Sequence, residues 1–233
     1  MRGDHKFLVL NEALRRELLQ YVPSEKTRVL PFSLFTGSLS DGSGANKTLR
    51  ICIPGYVTQL RRDYLGVLQM IQDHVEKLAG VVSFDFLGAA DFSHPQTRNI
   101  LDIARRCTEQ GVLIHTYEQR PSAQTFDENL GMCDLILGNI VVQINRFTRY
   151  GKTKESGLPF AMIKAAKPGL MPTEYDSFPE LTSSTLFYDT YPELAAILME
   201  LVEHPEKMAR LKAQAKLNSV QFRPEKIYQA FYP

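Results

Sequence analysis

The densest set of chemistry-bearing residues is the stretch 150–172, YGKTKESGLPFAMIKAAKPGLMP. A basic turn over 151–157 carries Lys152, Lys154, Glu155, Ser156 and Gly157, and it leads into an apolar segment, 158–166, that predicts a helix opening at Leu158. Free backbone N–H groups at a helix N-terminus attract anions. Ser156 or Glu155 is placed to cap that helix, and Gly157 lets a ligand approach the backbone. With two lysines in front, a phosphate-bearing ligand is the natural guest. A plain strand-to-helix connection with solvated lysines has the same residues, so the turn needs support from the rest of the chain.

A second candidate is residues 55–62, GYVTQLRR, which follow the apolar run 49–54. They place Gly55, the Thr58 hydroxyl and the guanidiniums of Arg61 and Arg62 at a helix start. Arginine pairs bidentately with phosphate oxygens, so either one is a credible diphosphate ligand. With Asp63 next in sequence, an exposed charged pair is the plainer reading. The dinucleotide fingerprint G-x-G-x-x-G is absent, so NAD is not expected. A P-loop is excluded because Gly151-Lys152-Thr153 lacks the upstream glycine. G-x-S-x-G, H-E-x-x-H and D-x-D are absent as well. His74 and His204 read as structural or solvated. His115 ends a predicted strand at the ligand edge and Tyr117 continues that loop. Both are candidates for contacting a base, against the plainer reading of a rim histidine.

These residues need elements to hold them. From residue 49 onward apolar strand-like runs (49–54, 81–87, 112–116, 134–137, a short run after Gly169, 185–188) alternate with segments of helical spacing. The helical segments are 63–78, 95–110, 123–132, 158–166, 191–203 and 206–219, with a last one from Pro224. Strands separated by single helices imply parallel βαβ units. The expectation is α/β, a Rossmann-like parallel sheet of about six strands with helices on both faces, binding ligands beyond the carboxyl ends of its strands. The chain has 233 residues, 44% of them hydrophobic, and a net charge of +1. That balance gives no argument for nucleic acid or an acidic membrane as partner. Cys52, Cys107 and Cys133 are an odd number without metal-type spacing and read as buried thiols of a reducing compartment. No apolar run approaches the ~20 residues of a membrane span. The expected location is cytoplasmic, membrane-peripheral only through a partner domain.

Residues 1–35 differ from the rest: two short strands, 7–10 and 27–32, flank a helix over 11–21. Residues 36–48, rich in Gly, Ser, Asn and Asp, read as a linker.

Taken in order, these pieces resemble the C-terminal, nucleotide-sugar-binding domain of GT-B-fold glycosyltransferases, closest to the retaining group 1 (family four) enzymes. The resemblance covers 49–231 and rests on FDENLGMCDLILGN (126–139), KESGLPFAMIKAAKPGLMP (154–172) and DTYPELAAILMELVEHPEKMARLKAQA (189–215). It implies carbohydrate biosynthesis from a nucleotide-diphosphate sugar, as substrate rather than cofactor, without a metal. Glu155 matches the first glutamate of the E-x7-E motif, which contacts the donor sugar. Gly157 and Leu158 match the backbone amides near sugar and phosphate, and Arg61 or Arg62 falls where the family has a phosphate-binding lysine. Two positions depart from the pattern: the second glutamate is Ile163, with Lys164 beside it, and the arginine after the first glycine is Tyr56. Lys152 and Lys154 are placed to supply the missing positive charge.

The resemblance further implies that 1–35 is the end of an N-terminal acceptor domain. Its apolar strands should then be exposed, or paired with an acceptor-domain partner or a second copy. The acceptor is not readable. The competing readings are a non-catalytic nucleotide-sugar-binding subunit, a phosphorylase- or epimerase-type relative, and a flavodoxin-like signalling domain.

Overall fold

The computed structural model describes residues 5–31, 35–37, 48–175 and 178–231. In chain order the elements are β1 (Phe7–Val9), α1 (Glu12–Leu18), β2 (Thr27–Val29), β3 (Leu49–Cys52), α2 (Tyr64–Asp73), α3 (Val75–Leu78) and β4 (Val82–Ala89). They continue with α4 (Pro95–Glu109), β5 (Ile114–Tyr117), α5 (Ala123–Met132), β6 (Leu135–Leu137), β7 (Gln143–Asn145), β8 (Thr148–Arg149) and α6 (Leu158–Ala165). The last are β9 (Gly169–Pro172), β10 (Thr185–Tyr188), α7 (Tyr191–Glu203), α8 (Pro205–Ser219) and α9 (Pro224–Phe231).

Six strands form one sheet in the order β10-β9-β6-β3-β4-β5, and every pairing in it is parallel. This is the α/β, Rossmann-like arrangement expected. Alternation along the strands sends Ile51, Phe84, Phe86, Leu135 and Leu137 to one face, where they pack with side chains of α2, α4 and α7. Cys52, Leu87, Ile136 and Met171 point to the other, against α5 and α6. A sheet covered on both faces is why its strands read as continuous apolar runs. All three cysteines are buried and unpaired. Among the described residues no helix is long and apolar enough to cross a membrane.

Several boundaries differ from expectation. The predicted helix 63–78 is broken at His74, whose ring Nδ1 lies 3.0 Å from the Met70 carbonyl. The β7–β8 hairpin was not expected. β4 runs on through Gly88 to Ala89, past the end of the predicted run 81–87. In the N-terminal segment β1 and β2 pair with each other in parallel, with α1 between them in sequence. Phe7 and Leu8 remain exposed. The end of the predicted strand 27–32 and most of the predicted linker lie outside the described residues.

The start of α2 anchors the first ligand-side loop. Asp63 caps it, accepting from Gly66 N at 2.9 Å, from Gln59 Nε2 at 2.7 Å and from the Tyr191 hydroxyl at 2.6 Å. Burial alone would raise the Asp63 carboxyl, but these hydrogen bonds outweigh it and hold the pKa below the usual value. A depressed folded-state pKa adds stability above the unfolded carboxylate pKa, and that stability is lost as pH falls through the folded value. Asp63→Ala is expected to cost about 2 kcal/mol at neutral pH, from the lost cap and the stranded Tyr191 hydroxyl. Urea unfolding at neutral pH and again below the folded-state pKa checks this; the gap should shrink in acid.

Candidate functional site

The parallel ladder continues past β3. Ile53 N donates to Asp85 O at 2.8 Å, Gly55 N to Leu87 O at 3.0 Å and Val57 N to Ala89 O at 3.0 Å. Gly55 has φ 121°, a conformation strained for any other residue. The chain then turns through Thr58 to Arg62 and is fastened to the loop after β6. Asp63 N donates to Asn139 O at 2.7 Å, and Val141 N to Arg61 O at 3.1 Å. The Arg62 guanidinium folds back over Gly55, with Nη1 3.5 Å from Oδ1 of the buried Asn139.

The facing wall is the connection from β8 to α6. Gly151, at φ 77°, closes a tight turn in which Gly151 N donates to Lys154 O at 2.8 Å. The Lys154 ammonium sits 5.8 Å from the centre of the Tyr150 ring. Neither Ser156 nor Glu155 is the cap residue expected. Gly157 occupies that position without a side-chain cap, and Ser156 Oγ accepts from Leu158 N at 3.3 Å. The Glu155 carboxylate turns the other way, accepting from Ser156 N at 2.7 Å, from the Tyr175 hydroxyl and from Asn11 Nδ2.

Between the walls lies a cavity of about 390 Å³, beyond the carboxyl ends of β3 and β6. Thr58, Arg61, Arg62, Lys154, Glu155, Ser156 and Gly157 line it together with Tyr56, Ile140 and Tyr150. Gly55 lies directly beneath Arg62. A Cβ at Gly157 would meet nothing within 4 Å, so the space above that backbone is open. The cavity combines three cationic side chains, one carboxylate, four hydroxyl-bearing side chains and a helix N-terminus. That set suits an anion attached to a polyhydroxylated group.

The other predicted site residues lie elsewhere. Leu158 is buried in the core. Lys152 points towards α1, 3.6 Å from Glu17, and faces a separate cavity of about 580 Å³ that it lines with Arg16 and Arg149. Alternation along β5 puts His115 and Tyr117 on the same face as Asp85, outside the 390 Å³ cavity. Tyr117 donates to Asp85 Oδ2 at 3.1 Å, and His115 Nδ1 lies 3.9 Å from the same oxygen. Burial raises the Asp85 carboxyl, with His115 and Tyr117 opposing it. Ile163 is fully buried, and Lys164 pairs with Asp127 at 2.6 Å. Reasoning from sequence missed Tyr175 and Asn139, for which composition offers no signal, and did not bring Asn11 to the site. A larger cavity of about 800 Å³ opens at the other end of the sheet, lined by Leu49, Asp134, Lys167, Met208 and Lys212 among others. Among the described residues no group of three or more His, Cys, Asp or Glu could hold a metal ion.

The sheet order and the helices on both faces are those of a GT-B type, Rossmann-like domain, a fold shared with solved glycosyltransferases. HepE of Anabaena, solved in complex with UDP, matches over 97% of this chain at 15% identity and a TM-score of 0.70. TarM, a protein of S. aureus, matches over 97% at 14% identity and a TM-score of 0.66. The pneumococcal O-GlcNAc transferase GtfA, solved with UDP and GlcNAc, matches over 97% at 14% identity and a TM-score of 0.62. The chain spans 62% of HepE, 42% of TarM and 43% of GtfA. No protein-family model matches it, and no curated protein matches it in sequence.

Proposed function

We propose that this chain binds a nucleotide-diphosphate sugar and forms the donor half of a retaining, family-four type glycosyltransferase. The observation that carries this is the convergence of Arg61, Arg62 and Lys154 on one cavity with Glu155 and the opening of α6. In this reading the three cations hold the diphosphate and stabilise the charge that develops as it leaves. Side chains supply that charge, so the donor step is proposed to run without a metal. Glu155 takes sugar hydroxyls, with Ser156 and Gly157 beside it. A further domain or chain supplies the acceptor, and residues 5–31 belong with that acceptor side.

One observation favours a second reading, a nucleotide-sugar-binding subunit without its own transfer activity. The place where the resembling family has a ribose-binding glutamate is filled by the buried Ile163, and Lys164 is engaged by Asp127. Calorimetric titration with UDP, GDP and ADP and with their glucose conjugates tests both readings. Weak binding of at least one nucleotide, tighter for its sugar conjugate, is expected. No binding of any of the six would overturn the donor-site reading. Binding without any donor hydrolysis, alone or with an acceptor chain, would select the second.

A further inference from the structure

Asn11 is almost completely buried and makes two different hydrogen bonds at once. Its Oδ1 accepts from Leu14 N at 2.9 Å and caps α1. With the carbonyl so committed, the amide nitrogen donates to Glu155 Oε2, across 144 residues of sequence. The other carboxylate oxygen accepts from Ser156 N and the Tyr175 hydroxyl. Three elements therefore fix the carboxylate: the N-terminal segment, the turn before α6, and the chain following β9. Further along α1, Glu17 faces Lys152 at 3.6 Å, so the helix lies along the same turn.

We propose that Asn11 is a positioning residue of the donor site: the N-terminal segment completes the site by orienting Glu155. The site is thus shared between two parts of the chain that the sequence separates by a linker. The carboxylate helps to hold the segment down, beside the Glu17–Lys152 pair. A charge-assisted bond to a half-buried carboxylate is stronger than a neutral one, and breaking it strands the acceptor. Docking of residues 5–31 and the orientation of Glu155 are then coupled. The claim about sugar binding rests on the reading of Glu155 as the sugar-side carboxylate; the claim about docking does not.

The test uses Asn11→Asp, which caps a helix as well as asparagine does. It removes the amide donor and sets two carboxylates face to face. Amide hydrogen exchange over residues 12–29 should then quicken by roughly tenfold or more relative to the native chain. The reciprocal pair, Asn11→Asp with Glu155→Gln, restores a donor and an acceptor with their roles exchanged, and protection should return. In titrations with UDP-, GDP- and ADP-glucose against the free diphosphates, Asn11→Asp should lower the preference for the sugar conjugate by roughly tenfold. The reciprocal pair should not recover that preference, because its glutamine lacks the charge. Unchanged exchange in Asn11→Asp, or no recovery in the reciprocal pair, overturns the proposal. If the native chain shows no preference for any sugar conjugate, the role of Glu155 falls, and the exchange result alone decides whether Asn11 holds it.

Discussion

Replacing Arg61 and Arg62 together by alanine is expected to weaken nucleoside diphosphate binding by about 1.5–3 kcal/mol, roughly tenfold to a hundredfold. The two arginines are held differently. The backbone carbonyl of Arg61 accepts from Val141 N, and Arg62 lies over Gly55 against Asn139. The Arg62 guanidinium thus starts from a restrained position, so less conformational entropy is lost when it closes on a phosphate, whereas Arg61 is fixed through its backbone. Because the ligand is doubly charged or more, the loss should be larger at low ionic strength and shrink as salt rises. Lysine at these positions keeps the charge without the planar fork, so Arg62→Lys should recover only part of the affinity. Titration of the double variant, with its melting temperature as a control for folding, decides the matter. Native-like affinity in a folded double variant would remove the first loop from the site.

The sheet was legible because parallel strands buried on both faces leave apolar runs bounded by glycine and proline, and these are hard to mistake. The β7–β8 hairpin was not, because its turn has no Asn-Gly or Asp-Gly signal. Asn145 makes it instead, its side chain accepting from Phe147 N at 2.9 Å and Thr148 N at 3.0 Å. The two walls of the cavity were readable for a local reason: each is a short loop whose glycines and charges lie within eight residues of one another. His115 and Tyr117 illustrate the limit of such reasoning. Their position at the carboxyl end of a strand was read correctly, but which face they point to depends on the register with β4, and that brings them to Asp85. The partners of Glu155 lie further still from local inference. Asn11 and Tyr175 reach it from 144 and 20 residues away, and only the tertiary fold joins them.

Gly88→Ala should be among the most damaging single substitutions in the chain, lowering stability by about 3 kcal/mol or more. A Cβ on Gly88 would stand 2.0 Å from the Gly55 carbonyl oxygen and 2.5 Å from its carbon. A flexible side chain could move aside; this neighbour is backbone. It is also held from both directions, since Leu87 N donates to Ile53 O at 3.1 Å, Gly55 N to Leu87 O at 3.0 Å and Val57 N to Ala89 O at 3.0 Å. Relief therefore means breaking ladder hydrogen bonds within the sheet, or bending β4 and disturbing the core that Phe86 packs into. Gly157→Ala is the internal control. Its φ of −71° is ordinary and the space above it is empty, so stability should stay within about 0.5 kcal/mol of the native chain. Urea midpoints for the two variants should therefore separate widely, although both exchange one glycine for alanine. The functional consequences should follow the same geometry. Any Gly88→Ala molecules that remain folded must displace Gly55, and with it the Arg62 guanidinium that lies over it, so they should bind diphosphate poorly. A Gly88→Ala chain that unfolds at the native urea midpoint would show that the strand and the arginine loop do not approach one another as closely as this fold requires.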